Sequence, residues 1–432
     1  MSRPEKTIIY NLFPLLAGKF TEWDKHFARA SEMGFNWIFV NPLQRPGKSG
    51  SIYSIADHYE YNPLLIDAMS RKKPEDQLRD ALRRGEARGL SFMIDLVISH
   101  CAVDSKLLKL HPDWFEWAAK GRVAHPSADE NGKRVVWNDL AKFDYRRSKD
   151  PEGLFQYFLK FVNSLINLGF KGFRCDAAYQ VPTNVWQRLI GETKKNHPEV
   201  RFVAETLGCT PDQTNSTARA GFDYILNSSK WWDFSSYWLM EQYNLTRDTV
   251  PSISFPESHD TRRLSEELGG NVEGLKQKYL FASLFSASVM IPVGFEFGFR
   301  ERLHVVGTRP EDWEETGIDL RAFIKAVNSL KAQSAALQED GPTEILRDGN
   351  SNILLMRKAS TATQDEVLLI LNKDFRNKQY FRAENLYQLV RSHGVPLVDV
   401  SPEYRLDYLP TPFSYDLRPG QGIVLTTSRA SA

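Results

Sequence analysis

The sequence predicts a parallel (β/α)8 barrel with a short insert after its third strand and a small antiparallel β domain at its C-terminal end. Three observations predict it. Short β-branched or aromatic runs alternate eight times with longer amphipathic segments over the first 340 or so residues. No Gly-x-Gly-x-x-Gly turn follows the first run, which argues against an open doubly wound sheet. Beyond residue 340 the texture changes to short strands separated by turn residues. A chain of 432 residues is also long enough for one large domain and a smaller one.

The elements follow in order. TIIYNLF (7–13) reads as a strand, followed by a helix near 21–33 and a second strand, NWIFV (36–40). After a loop come a helix around 74–88 and the strand LSFMIDLVI (90–98). An irregular insert contains the turn-rich HPSADENGK (125–133). Asp150 and Pro151 suit an N-cap and first helical turn. The helix they open places Leu154, Phe158, Phe161, Leu165 and Leu168 at three- and four-residue steps. KGFRCD (171–176) and VRFVAE (200–205) are the next strands, each following a helix. TPDQ (210–213) is a capping box with proline at the first helical position.

GFDYIL (221–226) precedes a helix near 229–245, and SISF (252–255) precedes a long helix over about 261–288. VMIPVGF (289–295) makes the eighth strand, and a helix over 314–337 ends the series. The stretch 279–299 is long and apolar enough to suggest a membrane span. Pro292, Gly294 and Glu296 break it, so it reads as a buried helix running into a buried strand. TEILRDGNSNILLMRKAS, EVLLILNK and GIVLTTS supply the C-terminal strands. The expected organisation is a barrel over 1–100 and 146–338, an insert over 101–145 and a C-terminal β-sandwich over 339–432.

Composition narrows the function. Lys and Arg number 55 against 54 Asp and Glu, a net charge of +1, which argues against nucleic acid or an anionic membrane as the main partner. The cysteines are Cys101, Cys175 and Cys209, an odd and sparse set without metal-ligand spacing. They form no disulfide framework and point to a reducing cytoplasm. The N-terminus MSRPEKTIIYNLFPLLAG imitates a signal peptide, but Asn11 and Pro14 interrupt its apolar run and no cleavage site follows. Aromatics make up 12%, with ten Trp; such residues line sugar sites as well as cores. No feature of the sequence sets the oligomeric state.

Barrel enzymes place their chemistry at the C-terminal ends of the strands. There the third strand carries Asp95 with His100 just beyond, and the fourth carries Arg174 and Asp176. The fifth ends in Glu205, and FPESHD after the seventh ends in His259 and Asp260. Alone, each carboxylate reads as a strand-end cap or a solvated charge. Together they predict one cleft with four carboxylates, one arginine and two histidines. Such a set suits a developing positive charge, as in glycoside cleavage. One carboxylate attacks the anomeric carbon, a second kept protonated supplies the leaving oxygen, and a third stabilises the transition state.

With these residues in place, the chain resembles the α-amylase family of retaining glycoside hydrolases and transglycosylases. DLVISH, GFRCDAAYQ, FVAE and FPESHD resemble the family's four signatures, in order. GFNWIFVNP and VGFEFGF resemble its motifs at strands two and eight, and SIYSIADHYEYNP the segment with a sugar-stacking tyrosine. The resemblance implies Asp176 as nucleophile, Glu205 as general acid/base and Asp260 as transition-state stabiliser. It further implies that Arg174 supports Asp176 and that His100 and His259 hydrogen-bond the sugar. Tyr53 would stack beneath that sugar, and Asp95 would be a structural partner in the cleft. The substrate implied is an α-1,4-glucan or maltooligosaccharide, and no cofactor is expected. Residues 101–121 and 297–331 resemble bacterial maltosyltransferases that use maltose 1-phosphate, which keeps a sugar-phosphate or phosphate-dependent transferase as the alternative. A non-catalytic carbohydrate-binding barrel is a third reading, opposed by the presence of all three acids.

Two departures bear on specificity. Ser99 stands where the family usually has an asparagine that helps bind a structural calcium, so no calcium site is expected. Tyr179 and Gln180 stand where many amylases have Lys-His on the acceptor side. Arg262, Arg263, Arg300 and Arg302 are candidate anion contacts at the cleft mouth, and Trp231 and Trp232 offer either a sugar platform or core filling.

Overall fold

The computed structural model describes residues 7–118, 121–130, 133–347, 349–391 and 395–427. Residues 1–6 of the leader-like N-terminus, and Asn131 and Gly132 within the turn-rich stretch, lie outside the described residues.

Eight parallel strands close into a barrel, as the alternation predicts. They are β1 (Ile8–Leu12), β2 (Trp37–Val40), β3 (Ser91–Leu96), β4 (Gly172–Cys175), β5 (Arg201–Ala204), β6 (Tyr224–Leu226), β7 (Ser252–Ser254) and β8 (Ser288–Pro292). Each pairs with its sequence neighbour, and β8 closes on β1. Ile9, Trp37, Met93, Val203, Ile253 and Met290 fill the interior. The opposite faces of the strands pack on the surrounding helices, so nearly every strand residue is buried and the strands read as unbroken apolar runs.

Local chemistry sets the helix boundaries. Asp150 Oδ1 accepts from the Gly153 N–H at 2.9 Å and starts the helix Pro151–Leu168. All five apolar residues of its predicted stripe are buried. Thr210 and Gln213 form the reciprocal capping box of Pro211–Ala218. Elsewhere helices are shorter than the periodicity suggests. The helix expected over 261–288 is two, Leu264–Glu267 and Val272–Phe285. Gly269 and Gly270 between them have φ of +63° and +78°, and Asn271 caps the second through the Gly274 N–H. The helix near 229–245 is only Trp238–Thr246, because Asp233 captures the N–H groups of Ser235 and Ser236 in a turn. The helix over 314–337 is reduced to Arg321–Gln333. The apolar stretch 279–299 is the end of one helix followed by β8, and no described helix is long and apolar enough to cross a membrane.

The insert holds two short antiparallel pairs, His100–Ala102 with Leu140–Lys142 and Ser127–Glu130 with Lys133–Val136. The C-terminal part is antiparallel. Thr343–Leu346, Ile353–Ala359, Glu366–Asn372, Gly422–Thr426 and Val398–Asp399 form one sheet in that order, and Gln379–Ala383 pairs with Phe413–Leu417. Alternation divides the larger sheet. Leu354, Met356 and Leu369 join the main core, while Leu355, Leu368 and Ile370 pack with Phe381 and Phe413.

Candidate active site

The site grows from strand register. Arg174 on β4 is paired with Asp95 on β3, so alternation turns both side chains the same way. The Arg174 side chain is 3% exposed. Its Nη1 donates to Asp95 Oδ1 at 2.7 Å and to Asp176 Oδ1 at 2.8 Å. Its Nη2 lies 2.9 Å from Glu205 Oε1 and 3.8 Å from Asp260 Oδ2. One guanidinium therefore faces all four strand-end carboxylates. An uncompensated buried charge is costly; the guanidinium and its carboxylates offset one another's desolvation, while the carboxylates repel each other.

The surroundings separate the acids. Burial pushes Asp176 up to about 6, against the pull of Arg174. Burial, added to repulsion from Asp176 and Asp260, pushes Glu205 up to about 7, although Arg174 and the Ala177 N–H oppose it. Glu205 Oε2 accepts from that N–H at 2.7 Å. Ala177 adopts φ of +42°, uncommon outside glycine. The Asp260 side chain is 46% exposed. Desolvation would raise it, but His259, through charge and hydrogen bond, outweighs that and holds it below the usual carboxylate range. One group poised to give a proton thus sits beside two that remain ionised near neutrality.

Tyr53 links the opposite wall. Its Oη donates to Asp95 Oδ2 at 2.7 Å, lies 2.7 Å from His259 Nε2 and accepts from Asn41 Nδ2 at 2.9 Å. Its ring is parallel to that of His259, 5.8 Å between centroids. His259 Nε2 is also 3.0 Å from Asp260 Oδ2, while its buried Nδ1 has no hydrogen-bond partner among the described residues. His100 is held within the protein, with Nδ1 2.9 Å from Ser99 Oγ and Nε2 3.2 Å from the Tyr53 carbonyl. Ser99 Oγ is engaged with a histidine. Among the described residues no three His, Cys, Asp or Glu side chains are grouped to hold a metal.

Residues 5–116 match the family model described as glycogen debranching enzyme, glucanotransferase domain. The α-1,4-glucan:maltose-1-phosphate maltosyltransferase of Burkholderia pseudomallei is 22% identical over 370 residues, 82% of this chain and 32% of that one. Its namesake from Mycolicibacterium smegmatis is 24% identical over 411 residues, 84% of this chain and 56% of that one. The maltogenic α-amylase AmyB of Thermotoga neapolitana superposes with a TM-score of 0.77 at 19% identity, covering 97% of this chain and 98% of that one. The α-amylase of Geobacillus thermoleovorans, complexed with acarbose, gives 0.77 at 15%, covering 99% and 100%.

The resemblance to the α-amylase family holds. The solved structures share the fold with this chain, which spans about a third to just over a half of the length of the two curated relatives. In this α-amylase fold several contacts escape motif reading. Asn41 is oriented by Asn11, whose Nδ2 donates to Asn41 Oδ1 at 2.9 Å, and it lies in the quoted second-strand motif. Arg302 Nη2 donates to the Asp260 carbonyl at 2.7 Å, and the Phe39 ring lies beneath the Arg174 guanidinium at 5.9 Å. The Ala177 conformation has no sequence signal. Of the mouth arginines, Arg263 is instead buried, pairing with Glu257 at 2.8 Å and donating to the carbonyls of Val293 and Glu301. Arg262 pairs with Glu266 on the surface. Trp232 is core, whereas Trp231 is half exposed against Phe255 beside β7.

Proposed function

We propose that the protein is a retaining α-glucoside hydrolase or transglycosylase acting on α-1,4-glucan or maltooligosaccharides. The observation that carries this is the contact of Asp176, Glu205 and Asp260 with one buried guanidinium. In the first step the Asp176 carboxylate attacks the anomeric carbon as the bond to the leaving oxygen breaks. That oxygen takes the Glu205 proton, and a covalent glycosyl-Asp176 forms. In the second step water or a sugar hydroxyl attacks the same carbon, Glu205 takes the incoming proton and Asp176 departs. Two inversions return the α-configuration. Asp260 offers negative charge to the oxocarbenium-like transition state. Tyr53 with His259 forms the floor of the sugar site, and His259 Nδ1 is the group available to a sugar hydroxyl. His100 and Asp95 hold Tyr53.

A second reading is a transferase using a sugar 1-phosphate or phosphate; it is favoured by the curated relatives named as maltose-1-phosphate maltosyltransferases. The same acids serve it. The barrel is assigned to 1–100 and 146–338, the insert to 101–145 and the β domain to 339–432. Three unpaired thiols support the cytoplasm as the place of action.

One incubation series tests the proposal. Maltooligosaccharides and maltose 1-phosphate, with and without phosphate, are followed by NMR with wild type and Asp176→Asn. Initial α-anomers and loss of turnover in the variant are expected. Initial β-anomers or undiminished variant activity overturn it, and a strict requirement for phosphate selects the second reading.

A further inference from the structure

A cleft of about 820 Å3 opens between the insert and the loops that follow β4 and β5. Tyr179 and Gln180, three and four residues after Asp176, form part of its wall, as does Gln213 of the helix after β5. Neither Asp176, Glu205 nor Asp260 lines it. The cleft adjoins the reacting centre without containing it.

Its charge is one-sided. Among the described residues Arg122, Arg134, Lys142, Arg146 and Arg147 line it, against two carboxylates, Glu116 and Asp144. Glu116 is matched by Lys142 at 2.7 Å. Asp144 Oδ1 is occupied by the backbone N–H groups of Arg146 and Arg147. The Arg134 guanidinium meets Ser127 Oγ. Among the described residues Arg122, Arg146 and Arg147 make no ion pair. In a chain whose overall charge is only +1, this local excess is not a by-product of composition. A neutral glucan makes little use of four guanidinium groups. Phosphate and carboxylate oxygens match their planar forks.

We propose that this cleft binds an anionic substituent, a phosphate ester or a carboxylate, borne by the sugar on the leaving-group or acceptor side. The proposal rests on the retaining reading above and adds the substrate class. Glu205 must protonate the leaving oxygen, so that sugar lies on the side of the β4 and β5 loops, where Tyr179, Gln180 and Gln213 stand. The substituent is remote from the anomeric carbon, because the three acids do not line the cleft. This separates it from the 1-phosphate of the second reading.

The test uses the whole protein with α-maltosyl fluoride as donor and glucose, glucose 6-phosphate or glucuronate as acceptor. The acceptor KM for at least one anionic sugar is expected to be tenfold or more below that for glucose, and to rise with salt. Response to glucose 6-phosphate alone identifies a phosphate site, to glucuronate alone a carboxylate site. In Arg146→Gln/Arg147→Gln the ratio of the glucose KM to the anionic KM collapses at least fivefold. Equal KM values for all three acceptors, or an unchanged ratio in the variant, overturn the proposal. Should the donor not turn over, the retaining reading has failed. Calorimetric titration with the same sugars then decides the cleft: tighter binding of an anionic sugar, weakened at least fivefold in the variant, upholds it. Absence of that difference ends it.

Discussion

Replacing Arg174 by methionine removes the one cation shared by the strand-end carboxylates while keeping an unbranched apolar stem. Asp176 Oδ1 is 2.8 Å from Nη1, and the Arg174 side chain is only 3% exposed. With charge centres ~4 Å apart and an effective dielectric constant of ~20, the attraction is ~4 kcal/mol. Its loss raises the proton affinity of Asp176 by a factor of ~10³. The wild-type carboxyl, at about 6, is largely ionised at pH 7. In the variant its ionised fraction falls roughly a hundredfold, and the turnover number at pH 7 should fall with it. The acid limb of the rate profile should move up by about three pH units, the equivalent of the ~10³ change in proton affinity. The assay is fluoride release from α-maltosyl fluoride between pH 4 and pH 10, with circular dichroism confirming the fold. A folded Arg174→Met enzyme whose acid limb coincides with wild type would refute the electrostatic account. Arg174→Lys keeps the charge but cannot span Asp176 and Glu205 at once, so it should fall between the two.

Three further outcomes follow from the geometry. Wild-type kcat/KM on maltooligosaccharides should be bell-shaped with a mildly acidic optimum. Asp176 takes up a proton below about 6 and Glu205 loses one above about 7, so a flat profile from pH 5 to pH 9 would contradict the assignment. Glu205→Gln should lower turnover of maltooligosaccharides by roughly 10²–10⁴. It should spare α-maltosyl fluoride in the first step, whose leaving group needs no proton, so that mass spectrometry finds a maltosyl adduct on Asp176. Tyr53→Phe keeps the ring but deletes the hydroxyl shared by Asp95, Asn41 and His259. Stranding those buried partners should cost about 1–3 kcal/mol of stability, seen as a lowered melting temperature, and the misplaced Asp95 and His259 should lower kcat/KM roughly tenfold or more. A variant indistinguishable in kcat/KM would show that Tyr53 does not position the site.

The cleft beside the insert changes how Tyr179 and Gln180 are understood. Standing where many amylases have Lys-His, they fall on the wall of an arginine-lined groove. Cationic groups there come from the insert and its exit, rather than from the loop after the nucleophile.

Much of the architecture is local in origin and therefore legible. Asp150 with Pro151, and Thr210 with Gln213, start helices through contacts within one turn. The buried parallel strands announce themselves as continuous apolar runs because both faces are covered. Strand ends such as Arg174-x-Asp176 could be placed on one side by alternation alone. Helix length was less legible where turn chemistry competed with apolar periodicity, as at Gly269-Gly270 and Asp233. What only the tertiary structure decided is how distant groups share space. Arg174 bridges acids from β3, β4, β5 and the loop after β7, His100 turns inward to Ser99 and Tyr53, and Arg263 is buried rather than at the mouth. Those choices depend on closure of the barrel, since desolvation and charge pairing act through distance in space, and no spacing along the chain encodes them.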